Sequence, residues 1–136
     1  MKIVICGSMI FSKEMIEVKS KLEALGHIVV LPRNAERYAK SQLSLETKAE
    51  SVKNKIKYDL IRSYYQEIKN SDGVLVLNYD KSGIDNYVGG NSFLEAGFAH
   101  ILNKKVYFLN DVPKMLYSDE LKAIQPIILD GDLSKI

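Results

Sequence analysis

Residues 2–32 read KIVICGSMIFSKEMIEVKSKLEALGHIVVLP. The opening "KIVIC" is a short β-branched run that stops at Gly7, the pattern of a buried parallel strand. Behind it, Met15, Val18, Leu22 and Leu25 fall on one helical face. Ser12 suits the N-cap of that helix and Gly26 suits its end. "HIVVLP" is a second strand, closed by Pro32. Strand, helix and strand in that order form a βαβ unit, which implies a right-handed crossover and a parallel sheet.

The same alternation continues outward. "GVLVLN" (73–78) reads as a third buried strand and "KVYFLN" (105–110) as a fourth, while "QPIIL" after the short helix "SDELKAI" offers a fifth. A helix is expected from about Asn91 to Leu102. Another, ending near Asn70, carries Val52, Ile56, Leu60, Tyr64 and Ile68 at every fourth residue, so that they form one stripe. Within it, "KAESVKNKIK" (48–57) mixes lysines with a glutamate and reads as a solvated helix face. Residues 33–47 lose the period and read as a long loop or mobile segment, of the kind that often forms a lid or binding loop. The expectation is one domain, residues 1–136, with a doubly wound parallel sheet of four or five strands in a three-layer α/β/α arrangement.

Composition narrows the function classes. The chain has 136 residues, 46% of them apolar and 26% charged, as expected of a globular domain. A net charge of +2 gives no electrostatic footprint for nucleic acid. One cysteine, Cys6, excludes a disulfide within the chain and argues against a cysteine zinc site. No window approaches the ~20 apolar residues of a membrane span, and "MKIVICGSM" is too short an apolar run for a secretory leader. A cytoplasmic protein with no membrane partner is expected.

In open parallel sheets, ligands bind beyond the carboxyl ends of the strands. That rule selects "CGSMIF", the segment after Pro32, and "YDKSGIDNYVGGNS". Gly7 lets a ligand approach the backbone and Ser8 supplies a hydroxyl, although the three-glycine dinucleotide fingerprint and the phosphate loop with its lysine are both absent. Glu95 stands in a helix that is apolar nearly all round, with only His100 as a further polar residue in that run. Two readings of Glu95 fit. "SFLE" matches a capping box, with Ser92 as N-cap and Glu95 reaching back to it. A carboxylate at the mouth of the sheet also suits a nucleophile or general base. Asp59, beside the apolar stripe, is a second candidate acid. Asp72 reads as a turn residue, His27 and His100 as structural, Tyr64 or Tyr65 as core, and Cys6 as a buried inert thiol.

"KIVICGSM", "SDGVLVLN" and "GGNSFLEAGFAHILNKKVYFL" together resemble the nucleoside 2-deoxyribosyltransferase superfamily, which includes the 2'-deoxynucleoside 5'-phosphate N-glycosidases. The most specific part is Glu95-x-Gly97-x-Ala99, followed by Lys104, Lys105 and a strand. The resemblance implies a flavodoxin-like sheet, no cofactor or metal, a nucleoside or nucleotide substrate, and a homo-oligomer, dimer or higher. It implies that Glu95 attacks C1' of the sugar to give a glycosyl-enzyme ester, which a second base or water then releases. It further implies that Gly7, Ser8 and Met9 line the sugar or phosphate site, with Gly90, Asn91 and Ser92 as additional substrate contacts and Asp59 as an acid that binds or protonates the base. Six residues before Glu95, where the family carries aspartate or serine, this chain has Gly89. Transfer, hydrolysis and a nucleotide-binding module without turnover therefore all remain open at the level of sequence.

Overall fold

A computed structural model describes residues 1–41 and 48–136. The strands are β1 (Lys2–Cys6), β2 (Ile28–Val30), β3 (Gly73–Val76), β4 (Lys105–Phe108) and β5 (Ile127–Ile128). The helices are α1 (Ser12–Ala24), α2 (Ala35–Ser41), α3 (Lys48–Lys57), α4 (Leu60–Lys69), α5 (Gly90–Ile101) and α6 (Ser118–Ala123). All five strands are parallel, in the order β2-β1-β3-β4-β5, which is the flavodoxin-like winding. The fifth strand is present, paired through Tyr107 with Ile127 and Phe108 with Ile128.

Strand alternation divides the interior into two layers. Ile3 and Ile5 of β1 join Leu75, Tyr107 and the α1 side chains Met15, Val18 and Leu22 on one face. Val4 and Cys6 join Val74, Val76, Phe108, Ile68 of α4, Ala96 and Ala99 of α5, and Leu121 of α6 on the other. Cys6, as an even-numbered residue of β1, is therefore turned toward α5. Among the described residues, no helix is long and apolar enough to cross a membrane.

The start of α1 differs from expectation. Ser12 does not cap α1: a 3-10 turn (Met9–Phe11) feeds straight into the helix, and Phe11 at the cap position makes no side-chain cap bond. The other end is as expected. Gly26 has φ +93°, its N–H reaches Glu23 O at 2.9 Å, and the His27 N–H reaches Leu22 O at 3.1 Å, a Schellman closure. Leu25, expected on the buried face, is the last residue before that closure and is exposed.

The expected single helix ending near Asn70 is two helices. Asp59 sits at φ 48°, ψ 49°, a left-handed conformation that ends one helical path and starts another. The stripe is split accordingly: Ile68 is buried, whereas Val52 and Ile56 are 54% and 77% exposed. The segment expected as loop is helical over α2, and the remainder of that expectation, residues 42–47, lies outside the described residues.

At the amino end of the sheet, Asp72 has the turn role expected of it. Its carboxylate accepts the Lys2 N–H at 2.7 Å while its own N–H donates to Lys2 O at 2.9 Å. This pins the start of β3 to the start of β1.

Candidate active site

The winding reverses between β1 and β3, which pair from Ile3–Gly73 to Cys6–Val76. Two loops leave the carboxyl ends of these strands side by side. After β1, Gly7 passes so close to its surroundings that a Cβ would meet Met15 Cε at 3.1 Å and Leu77 O at 3.5 Å. After β3 the chain forms a tight hairpin: Lys81 and Ile84 exchange backbone hydrogen bonds of 3.0 and 2.9 Å around Ser82 and Gly83, both at positive φ. The Asp80 carboxylate takes the Asn86 N–H at 2.9 Å and the Tyr87 N–H returns to Tyr79 O at 2.9 Å, so both arms of the loop are tied. A further clamp joins β3 to β4. The buried Asn78 side chain donates to Asn110 O and Asp111 O, both at 2.9 Å, and accepts from the Asn110 N–H.

Helix α5 starts at Gly90 with Gly89 as its N-cap, and no side chain caps it. Ser92 is thus inside the first turn and buried, and Glu95 lies in the second turn, beyond the reach of a capping box. The capping reading of "SFLE" falls with that register. The start of α5 is propped instead by Tyr117, whose hydroxyl donates to Val88 O at 2.5 Å and whose ring stacks on Phe93 at 4.6 Å.

Freed of the cap role, Glu95 lies within electrostatic range of Cys6, Tyr64 and the Lys55 ammonium, which is itself hydrogen-bonded to Ser51 Oγ. One of its carboxylate oxygens is shielded from solvent and has no hydrogen-bond partner. Burial pushes its pKa from about 4.5 up to about 7, against the smaller opposing influence of the neighbouring Cys6 thiol, whose own hydrogen bond goes to Val4 O at 4.0 Å, and of the Lys55 ammonium. Burial, and then the Glu95 charge, hold the Cys6 thiol well above its ordinary range, so the thiol remains a proton donor rather than a nucleophile. Tyr64 donates its phenol proton to Ile5 O, and burial, Cys6 and Glu95 push its ionisation well up. Near neutral pH, the site holds a carboxylate that is poorly solvated, only partly neutralised, and unsatisfied on one oxygen. Such a group can attack an electrophilic carbon or take a proton.

The other expected site residues fall into separate places. Gly7 and Ser8 are at the mouth, and the Ser8 hydroxyl meets Lys81 Nζ at 3.0 Å. Met9 turns away from Glu95 to pack against the core on the α1 face. Gly90 and Asn91 are exposed on the first turn of α5. Asp59, expected at the inward edge of a continuous stripe, is exposed, and its carboxylate is engaged by Arg62 at 3.0 Å. It lines a groove of about 360 Å3 with Ile61, Arg62, Tyr65 and Phe98 on the α4–α5 side.

Four residues near the mouth escaped assignment from sequence. Cys6 reads from sequence as an inert buried thiol and Tyr64 or Tyr65 as core, yet the ionisation of both Cys6 and Tyr64 is raised by the Glu95 charge on top of burial. Lys55 belongs to a segment read as solvated and is drawn toward Glu95 by tertiary folding. Lys81 reaches Ser8 across 73 positions of sequence. The one legible signal was strand parity, which turns Cys6 to the α5 face.

Fold and site together define a flavodoxin-like α/β protein with a shielded carboxylate beside its switch point. No protein-family model matches the chain, and no curated protein matches it.

Proposed function

We propose that the protein is an N-glycosyl-transferring enzyme acting on deoxyribonucleosides or their 5'-monophosphates, with Glu95 as the nucleophile. The observation that carries this reading is the Glu95 carboxylate itself, held on the second turn of α5 beside Cys6 with one shielded oxygen unpartnered and a pKa of about 7. A nucleophile of this kind is reactive because water does not stabilise its charge.

In the first step an oxygen of Glu95 forms a bond to C1' as the C1'–N bond breaks. The bonding electrons leave with the base, which takes up a proton from solvent water. In the second step a nitrogen of another base attacks C1', loses its proton, and returns Glu95 to the carboxylate. Water in place of the second base gives hydrolysis. Inversion twice at C1' retains the configuration. The Cys6 thiol and the Lys55 ammonium stabilise the carboxylate as it leaves in the second step, while Tyr64 is held on Ile5 O and fixes the wall.

Incubation with a deoxynucleoside or its 5'-monophosphate and a different free base tests the reading by chromatography. Base exchange is expected; base release without an acceptor would indicate the hydrolytic branch. No turnover across a panel of both substrate types, or turnover unaffected by Glu95→Gln, would overturn it. A nucleotide-binding module without turnover is the rival reading, motivated by Gly89 where the resemblance leads to an acid or serine. Nucleotide binding by calorimetry with no base release would favour that rival.

The proposal includes a homo-oligomer. Ile56, Ile61, Leu94 and Ile101 are exposed on α3, α4 and α5, and Ile61 lines a groove with Asp59, Arg62, Tyr65 and Phe98. Exposed apolar side chains of this kind are what a second copy would cover across a two-fold axis. Sedimentation should give a dimer or larger species that Ile61→Asp dissociates; a monomeric wild type contradicts this part.

A further inference from the structure

Helix α5 carries Glu95, and its amino end is the weaker of its two ends. Toward the far end Ala96 and Ala99 are fully buried in the core, and the Lys104 N–H closes on Ala99 O at 2.8 Å. The near end begins on Gly89 and Gly90, with no side-chain cap and no acid in its first turn, and Gly90 and Asn91 are exposed. Glycine is the poorest helix former after proline, and a start with neither cap nor acid lacks the interactions that ordinarily hold it. Glu95 stands about 7.5 Å along the axis from Gly90, so slack at the start reaches the carboxylate.

Tyr117 supplies what this start lacks. Its hydroxyl donates to Val88 O at 2.5 Å, and its ring lies 4.6 Å from that of Phe93, 3° from parallel. Val88 and Phe93 occupy the two positions that an apolar staple joins across a helix start, one before the N-cap and one on the fourth helical residue. One side chain holds both. Packing on Phe93 needs only the ring, so the hydroxyl is the part of Tyr117 that serves the backbone of the helix start.

Tyr117 is itself fixed from both sides. The Leu121 N–H reaches Tyr117 O at 3.1 Å at the start of α6. Ser118 Oγ donates to Pro113 O at 2.7 Å and accepts the Met115 N–H at 2.6 Å, while Asp111 O takes the Asn78 side chain at 2.9 Å. Residues 111–118 are therefore a strap tied at both ends, from which Tyr117 turns inward and Leu116 is fully exposed. Tyr87 closes the other side of the helix start, where a Cβ at Gly89 would meet its ring at 3.2 Å. Burial, and then Tyr87, hold the Tyr117 ionisation above its ordinary range, so the hydroxyl remains a donor.

We propose that Tyr117 is a positioning residue for Glu95, acting through the glycine start of α5: its hydroxyl on Val88 O and its ring on Phe93 fix the helix from which the carboxylate reaches its target. That the target is C1' of a nucleoside or nucleotide rests on the N-glycosyl reading; the hold on the helix does not.

The test has two arms. In the first, kcat and KM for base exchange or release are measured with wild type, Tyr117→Phe, Tyr117→Leu and Leu116→Ala. The Phe variant keeps the stack and loses the hydrogen bond; the Leu variant loses both. Since a misplacement of about 1 Å costs about 100-fold, kcat should fall about 10-fold in Tyr117→Phe and about 100-fold in Tyr117→Leu, with KM within about threefold of wild type. Leu116→Ala should match wild type. The second arm needs no turnover. Amide hydrogen exchange at Phe93, Leu94 and Glu95 should be about 10-fold faster in Tyr117→Phe, with α1 unchanged. The Glu95 carboxyl, followed by NMR, should titrate below its wild-type midpoint as water enters around it. Those shifts alongside a wild type that turns over no substrate keep the positioning role and sink only the N-glycosyl reading. An active wild type with kcat unchanged in both Tyr117 variants overturns the role and leaves that reading intact. A loss of equal size in Leu116→Ala, exchange that rises equally in α1, or a Glu95 titration unmoved in both Tyr117 variants overturns the role as well.

Discussion

Two carboxylates stand at opposite ends of the same sheet and are treated in opposite ways. At the amino end, Asp72 accepts the Lys2 N–H at 2.7 Å and joins two strands. At the carboxyl end, Glu95 is shielded, retains an oxygen with no partner, and is held near pH 7 by burial. The first arrangement is what folding stability selects. The second opposes stability, since a buried polar group without a partner costs about 1–3 kcal/mol. Glu14 on α1 also has a shielded, unpartnered oxygen, so what sets Glu95 apart is that oxygen together with its raised pKa and its place beside the switch point, and this contrast supports assigning chemistry to Glu95 and architecture to Asp72.

The contrast is broken most severely by Glu95→Gln. Loss of the nucleophile should lower base exchange or release by about 1000-fold or more, whereas Asp72→Ala should leave turnover unchanged, as read by chromatography of the free base. Stability should move the other way. Glu95 in the folded protein titrates near 7 and in the unfolded chain near 4.5, so the native state binds more protons between these values and stability falls as pH rises through that window. The destabilisation is absent below about pH 4.5 and complete above about pH 7. Glu95→Gln should therefore raise unfolding free energy at pH 8 by up to about 3 kcal/mol relative to wild type, with little gain at pH 4.5, in urea titrations at both pH values. Asp72→Ala should lower stability at neutral pH by about 1 kcal/mol in the same experiment. The smallest effect is expected from Lys55→Met. Removing the ammonium that favours the Glu95 charge should move the acid limb of the kcat/KM–pH profile to higher pH, leaving the plateau reached only in more alkaline solution.

The sheet was legible because its signals are local. The β-branched run ending at Gly7, the helical period through Met15, Val18 and Leu22, and Gly26 at the turn each act over a few residues. The break at Asp59 was not, since an aspartate in the left-handed region has no mark beyond its own short side chain. The start of α5 was misread because Ser92-x-x-Glu95 imitates a capping box, while the helix in fact begins on bare glycine. Glu95 could be singled out as a lone acid in an apolar helix. Its surroundings could not, because Cys6, Tyr64 and Lys55 are brought within electrostatic range of it by long-range packing that no spacing encodes. The Lys81–Ser8 contact, across the switch point, is hidden for the same reason.

The central claim is that Glu95 becomes covalently bound to the sugar. Intact-protein mass spectrometry on samples quenched in acid during turnover tests it directly, followed by peptide mapping. The account predicts an added mass equal to the sugar, or sugar phosphate, located on the peptide containing Glu95 and absent from Glu95→Gln. Rapid turnover with no adduct at any quench time, or an adduct on a different residue, would contradict it.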